Sequence, residues 1–194
     1  MATLSPGELG RLLEPYYPAI AGNFLDQLGI YLDLLMKWNA RTNLSAIREP
    51  EEIVRRHFGE SLFAARHVPT AKTLLDLGSG AGFPGLPIAL VRPEIRVTLA
   101  ESQNKKASFL REVVRTLGLD VEVWGGRAED LPAERWFDVV TLRAVDNPEQ
   151  ALLVARARLA AGGSIVHLTS AAEFGEEDAI RIPGTHSGVI KLID

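Results

Sequence analysis

The chain has 194 residues, 46% hydrophobic and 24% charged, the length and balance of one ordinary globular domain with a substantial core. It contains no cysteine, which excludes disulfides, thiolate metal sites and any mechanism built on a cysteine nucleophile. A formal charge of −4 excludes a surface coated in positive charge but leaves room for a local basic face.

No stretch reaches the roughly 18 uninterrupted apolar residues of a membrane span. The N-terminus has no basic-then-apolar leader pattern, so a cytoplasmic protein without membrane contact is expected. Residues 5–67 carry helical patterns and predict a helical cap, residues 1–70, ahead of a core at 71–194, the two making one compact domain. Ser5-Pro6 with Glu8 marks a helix start, because the missing proline N–H does no harm in a first turn. From Gly22 to Asn39, residues Phe24, Leu25, Leu28, Tyr31, Leu32, Leu35 and Trp38 recur at helical spacing. Asn39 to Ser45 breaks the pattern. Pro50-Glu51-Glu52 opens another helix, with acidic residues at its positive end and Ile53, Val54, Phe58, Leu62 and Phe63 on its apolar face. In this helix Arg56 and His57 are candidate RNA contacts, weighed against a solvated arginine face and a structural histidine.

From residue 70 onward strands and helices alternate, which predicts an α/β fold: a Rossmann-like, mostly parallel sheet with helices on both faces. The predicted strands are 73–77, 96–101, 121–124, 137–142 and 164–169, and the predicted helices 84–91, 103–117 and 148–160. Arg181–Asp194 offers a short final hairpin with Pro183-Gly184 near its turn, and Glu173, Glu176, Glu177 and Asp178 read as a solvated acidic loop. No H-E-x-x-H pattern or acidic loop suggests a metal.

The stretch Thr73–Pro87, TLLDLGSGAGFPGLP, is where the core is organised. A strand, a glycine loop and a helix start in succession make a crevice of the kind that takes a nucleotide-type cofactor. Gly80-Ala81-Gly82-Phe83-Pro84-Gly85 satisfies the dinucleotide pattern G-x-G-x-x-G, but Pro84 falls where pyrophosphate-facing N–H groups are wanted and has none. Counted from the strand end, the glycines are instead Gly78, Gly80 and Gly82 after Asp76. That spacing resembles the first motif of class I S-adenosylmethionine (SAM) methyltransferases. Glu101, at the end of the second strand, can accept from both ribose hydroxyls, which suits either cofactor. Ala128-Glu129-Asp130 after the third strand is a candidate adenine contact or else a helix cap. Arg143 follows the fourth strand at the carboxyl edge, as a positioning candidate together with His57, or as a strand-end charge pair. Lys105 and Lys106 are candidate RNA contacts on a basic rim shared with Arg66, Arg111 and Arg115. The run Leu142-Arg143-Ala144-Val145-Asp146-Asn147-Pro148 departs from the Asn/Asp-Pro-Pro-aromatic tetrad of exocyclic-amine methylation. Without cysteine, C5 methylation of a pyrimidine through a thiolate adduct is disfavoured as well.

From about Leu25 to Ala160 the chain resembles the ribosomal RNA small subunit methyltransferase G family, also called glucose-inhibited division protein B. The pieces that carry the likeness are Lys37-Trp38-Asn39 with Asn43-Leu44, Arg56-His57 with Glu60-Ser61, Asp76 through Pro87, Arg92-Pro93-Glu94 and Phe109-Leu110-Arg111. The resemblance implies SAM as cofactor and N7 methylation of a guanine in a 16S rRNA loop near the decoding site. It places cofactor contacts at Gly78, Phe83, Ala128, Glu129 and Arg143, and implies 16S rRNA in the small ribosomal subunit as partner; a monomer is expected. The chain departs from the family at Glu60, usually Asp, and at Leu168-Thr169-Ser170, usually Leu-Lys-Gly, and its tail after residue 170 matches poorly and looks short. Two alternatives stand beside this reading. One is an NAD-linked oxidoreductase, which the overlapping glycine pattern suggests but a carboxyl half without tyrosine does not favour. The other is a catalytically silent, methyltransferase-like RNA- or ribosome-binding module.

Overall fold

A computed structural model describes residues 3–18, 23–145, 147–174 and 178–193. Gly22, Asp146, Glu176, Glu177 and Asp194, which figure in the expectations above, lie outside these residues.

The first helix, α1 (Pro6–Leu13), begins on a capping box: Ser5 Oγ accepts from Glu8 N at 3.3 Å, and Glu8 Oε2 accepts from Ser5 N at 2.8 Å. Helix α2 (Asn23–Asn39) ends at a buried Asn39, whose side chain accepts from Leu44 N and Ser45 N at 3.0 Å each. The chain therefore turns there, where the helical period lapses. The next predicted helix is a composite of α3 (Pro50–Ile53), a π-helical turn (Val54–Gly59) and α4 (Glu60–Ala65). Gly59 closes the π turn. A Cβ there would lie 2.7 Å from the Tyr16 ring, so only glycine lets that ring pack.

Seven strands follow in the order β3-β2-β1-β4-β5-β7-β6. They are β1 (Thr73–Leu77), β2 (Arg96–Ala100), β3 (Val121–Trp124), β4 (Phe137–Arg143), β5 (Leu159–Ser170), β6 (Ala179–Arg181) and β7 (Gly188–Ile193). Strands β1 to β5 run parallel, and β6 and β7 are antiparallel additions to the β5 edge. Side chains alternate across the sheet. Leu74, Leu99, Val139, Val166 and Leu168 join one core with the cap and with α5 (Gly85–Val91) and α6 (Asn104–Leu117). Leu75, Ala100, Val140, Leu142 and Ile165 join a second core with Ala151, Val154 and Ala155 of α7 (Pro148–Ala157). Both faces of the sheet are thus covered, as the near-continuous apolar runs predict.

Two further differences from the predicted elements stand out: Glu173, expected in a loop, lies in a short helix, Ala171–Phe174, and the joint before β5 is shifted. Helix α7 stops at Ala157 rather than at residue 160, and β5 starts at Leu159 rather than at 164. The buried Arg158 ends the helix by donating to the carbonyls of Glu129, Leu131 and Pro132, each at 2.8 Å. Gly162 and Gly163, just ahead of the predicted strand, fall within β5 at an irregularity where its register with β4 jumps from Phe137–Leu159 to Val139–Ser164; Gly162 has φ of 75°, and a Cβ on Gly163 would come within 2.8 Å of the Asp138 carbonyl. The hairpin forms as expected, although it begins at Ala179.

The chain order reverses at β1, with β2 on one side and β4 on the other. In open α/β sheets ligands gather outside the carboxyl ends of the strands at such a switch point.

Candidate active site

The glycine loop leaves β1 at the switch point and closes on itself. Gly78 N and Ser79 N both donate to Ala100 O at 3.0 Å, Gly82 N donates to Ser79 O at 2.7 Å, and Phe83 N to Ser79 O at 3.3 Å. Gly80 N donates to the buried Glu101 carboxylate at 2.9 Å, and the other Glu101 oxygen accepts from Gln103 N at 2.7 Å. Gly78, Gly80 and Gly82 have φ of 70, 58 and 93°, the left-handed region that side chains rarely adopt. A Cβ on Gly78 or Gly80 would meet nothing closer than 3.8 Å, so these two glycines present an open face. Gly82 is closed: its Cβ would strike Leu86 and the Tyr31 hydroxyl at 2.5 Å.

Asp76 fixes the loop from beneath. Its carboxylate accepts from Gly85 N at 3.2 Å, at the start of α5, and from Thr141 Oγ1 at 2.7 Å. Burial raises its pKa from 3.8 to about 6, against the lowering effect of those hydrogen bonds. Because Pro84 precedes it and Asp76 takes its N–H, the α5 terminus has little left for a pyrophosphate.

The cap holds the loop from above. The Tyr31 hydroxyl, fully buried, donates to Ala81 O at 2.5 Å, and its ring stacks on Phe83 with centroids 5.4 Å apart. Phe83 is also covered by Phe58 and by His57, each with ring centroids 5.0 Å away. Phe83 is therefore a core residue as much as a wall of the crevice. His57 faces inward, hydrogen-bonded to Ser45 Oγ at 2.6 Å. Burial, with Arg143 and Arg56 nearby, lowers its pKa from 6.5 to about 3. An uncharged, enclosed imidazole spaces the cap from the loop and is poorly suited to hold a phosphate.

Arg143, at the end of β4, reaches the cap. Its Nη2 donates to Glu60 Oε2 at 2.8 Å and to the Arg56 carbonyl at 2.7 Å. Burial pulls its pKa down and Glu60 opposes that pull. Arg56 Nε donates to the other Glu60 oxygen at 3.0 Å. Next to Arg143, Ala144 has φ of 49°, a conformation costing a non-glycine residue about 1–3 kcal/mol and one that clusters at functional sites. The following Val145 has its Cγ1 3.8 Å from where a Gly78 Cβ would stand.

Beyond Val145 opens a cleft of about 420 Å3, within the roughly 300–1,000 Å3 of ligand sites. Its lining includes Arg56, Glu60 and Arg143 at the β4 end, Thr169 on β5 and His186 and Ser187 before β7, which flanks β5 on the side away from β4. The structure thus brings Gly78, Gly80, Glu101 and Arg143 to one edge, with Arg56 bordering the adjacent cleft. Ala128, Glu129 and Asp130 form a short 3-10 turn after β3, with Ala128 buried and Glu129 exposed. Lys105 and Lys106 open α6 on the β2 side of the loop and do not line the cleft. Glu60, Tyr31, Asp76, His186 and Ser187 were not singled out for these roles by sequence. Only the Asp76 position ahead of the glycines carried a usable signal.

The sequence profile of the rRNA small subunit methyltransferase G (GidB) family matches residues 25–187. The chain belongs to that family. Among curated relatives, the ribosomal RNA small subunit methyltransferase G of Nitrosomonas europaea is 43% identical over 137 residues, covering 70% of this chain and 64% of that protein. The protein of the same name from Clostridium perfringens strain 13 is 49% identical over 125 residues, 61% of this chain and 52% of its own. The chain therefore spans between about half and two thirds of these two relatives. Among solved structures, a ribosomal protein L11 methylase from Lactobacillus delbrueckii subsp. bulgaricus superposes with a TM-score of 0.59 at 13% identity, over 72% of this chain and 78% of that one. The fold is that of class I SAM-dependent methyltransferases. Membership in the GidB family does not favour the oxidoreductase or the silent module. Among the described residues no helix is long and apolar enough to cross a membrane, and no cluster of three or more His, Cys, Asp or Glu side chains could hold a metal.

Proposed function

We propose that the protein is a SAM-dependent methyltransferase that modifies N7 of a guanine in 16S rRNA, in a loop near the decoding site of the small subunit. The observation that carries the reading is the state of the glycine loop. The amides of Gly78, Ser79, Gly80, Gly82 and Phe83 are already bonded within the protein, so the loop offers no nest of free N–H groups to a pyrophosphate. What it offers is the open face of Gly78 and Gly80 and a carboxylate at the β2 end.

Those features fit SAM. Gly78 and Gly80 would lie along its amino-acid part, Glu101 would use its remaining lone pairs on the ribose hydroxyls, and Ala128-Glu129 would border the adenine. Arg143 borders the same site from the cleft. SAM supplies a methyl group on a positively charged sulfur. Guanine N7 has a lone pair and no proton to lose, so the protein needs alignment more than a base. The enclosed, weakly basic His57 agrees with that requirement. The guanine must leave its stack to reach the crevice, as loop RNA permits. In this proposal the protein works in the cytoplasm as a monomer.

Titration calorimetry tests the cofactor assignment: SAM should bind saturably and NAD should not. Saturable binding of NAD with indifference to millimolar SAM would overturn it.

A further inference from the structure

The β6–β7 turn lines the same cleft as Arg56 and Glu60 of the cap, and among the described residues nothing in its packing explains the residues at its tip. His186 and Ser187 are exposed, and among the described residues neither side chain has a partner. The backbone beneath them is held firmly nonetheless. Thr185 Oγ1 donates to Ile182 O at 2.9 Å and accepts from Gly188 N at 3.1 Å, Ile182 N donates to Gly188 O at 2.9 Å, and Ala171 N to Ser187 O at 2.8 Å.

The same aromatic ring sets the positions of both walls. Tyr16 fills the space beside Gly59 of the π turn, and its hydroxyl lies 3.0 Å from where a Cβ on Gly184 would stand. Cap and turn are thus referenced to one side chain, and the gap between them is fixed in advance.

Among the described residues the charge in the cleft is unbalanced. Arg56 and Arg143 face the single carboxylate of Glu60, which leaves one net positive charge among the described lining residues. Arg143 is spent on Glu60 and on the Arg56 carbonyl. Among the described residues Arg56 commits only its Nε, and its side chain is 54% exposed, so both terminal nitrogens of its fork are available to a ligand. A planar fork with two free N–H edges suits a phosphate. His186 and Ser187 add an imidazole and a hydroxyl from the turn.

We propose that this turn is the second wall of an RNA-backbone site: Arg56 on the cap and His186 with Ser187 on the turn bracket one phosphate of the strand that delivers the target base past Val145. The inference rests on the methyltransferase reading and adds to it the residues that grip the strand. Continuity supports the occupant, because Val145 belongs both to the cleft and to the open face of Gly78. A nucleotide held here has its base beside the methyl donor.

The test uses the full chain, undermodified small subunits and methyl-labelled SAM, with SAM affinity measured separately. For His186→Ala/Ser187→Ala the KM for the subunit should rise about tenfold or more, in line with losing two hydrogen bonds to a charged group. Affinity for SAM and kcat should stay within about twofold. Arg56→Ala should raise the same KM and lower the slope of log affinity against log salt by about 0.7. His186→Arg should restore or tighten subunit binding. If the double variant methylates with an unchanged subunit KM, the turn does not touch RNA and the inference falls while the methyltransferase reading stands. If the wild-type protein labels no RNA, the reading falls and the inference with it.

Discussion

Glu60→Ala removes the carboxylate on which two arginines converge, and the two pairs weigh differently. The Arg56 side chain is 54% exposed, so its pair resembles a surface ion pair worth about 0–1 kcal/mol. The Arg143 side chain is 12% exposed and that of Glu60 9%, and stripping the counter-charge from so buried a pair costs about 3–5 kcal/mol. Arg143 keeps the Arg56 carbonyl as an acceptor at 2.7 Å, which places the expected loss near the lower end, about 3 kcal/mol. For a chain of this size that corresponds to a fall in Tm of about 6–12 °C. Denaturant unfolding with an unchanged m-value is the assay. Glu60→Ala combined with Arg143→Met should cost less than Glu60→Ala alone, because no buried charge is then stranded. A loss below about 1 kcal/mol for the single variant, or a double variant less stable than it, would refute the reasoning.

Three further outcomes follow from the same geometry. Gly78→Ala places a side chain at φ of 70° on the open face of the loop, at a conformational cost of about 1–2 kcal/mol, and should weaken SAM binding at least tenfold; unchanged affinity in calorimetry would remove the loop from the cofactor site. Asp76 has a folded pKa raised to about 6, so the native state holds the extra proton and the contribution, full below pH 3.8, is lost as pH rises through 6, by about 3 kcal/mol in all. Asp76→Asn should therefore gain stability relative to wild type from pH 4 to 7, as unfolding curves at each pH would show, and a constant difference would contradict the burial argument. His57 has the opposite sign: its folded pKa of about 3 lies below the usual 6.5, so its contribution is full above pH 6.5 and shrinks as the solution is acidified toward 3. His57→Gln should flatten that acid loss, and an unaltered pH profile would mean that the imidazole is not enclosed.

What could be read from sequence was local. Buried apolar runs bounded by glycine and proline fixed β1 to β4 within a residue or so. The resemblance to the GidB family was carried by contiguous pieces such as Asp76 through Pro87, and the profile match over 25–187 bears out the family while running past Ala160 into the tail expected to match poorly. What could not be read was distant. Arg143 meets Glu60 and the Arg56 carbonyl across 83 and 87 positions, and no periodicity signals such a pairing. Tyr31 looks like one more residue on the apolar face of α2, yet its hydroxyl holds the loop carbonyl of Ala81, fifty positions away. Gly162 and Gly163 sit at a register irregularity inside β5, and only the neighbouring β4 backbone shows that the strand continues on both sides of it. His57 stands in the sequence as a candidate RNA contact or a structural histidine beside Arg56, and its packing on Phe83, with burial lowering its pKa, favours the structural role.

The most direct test of the central claim is to digest small-subunit RNA after incubation with this protein and methyl-labelled SAM, and to identify the labelled nucleoside and its position by mass spectrometry. N7-methylguanosine at a single loop position near the decoding site is the predicted product. Label on an exocyclic amine, on a pyrimidine carbon, or on no nucleoside while SAM still binds would contradict it.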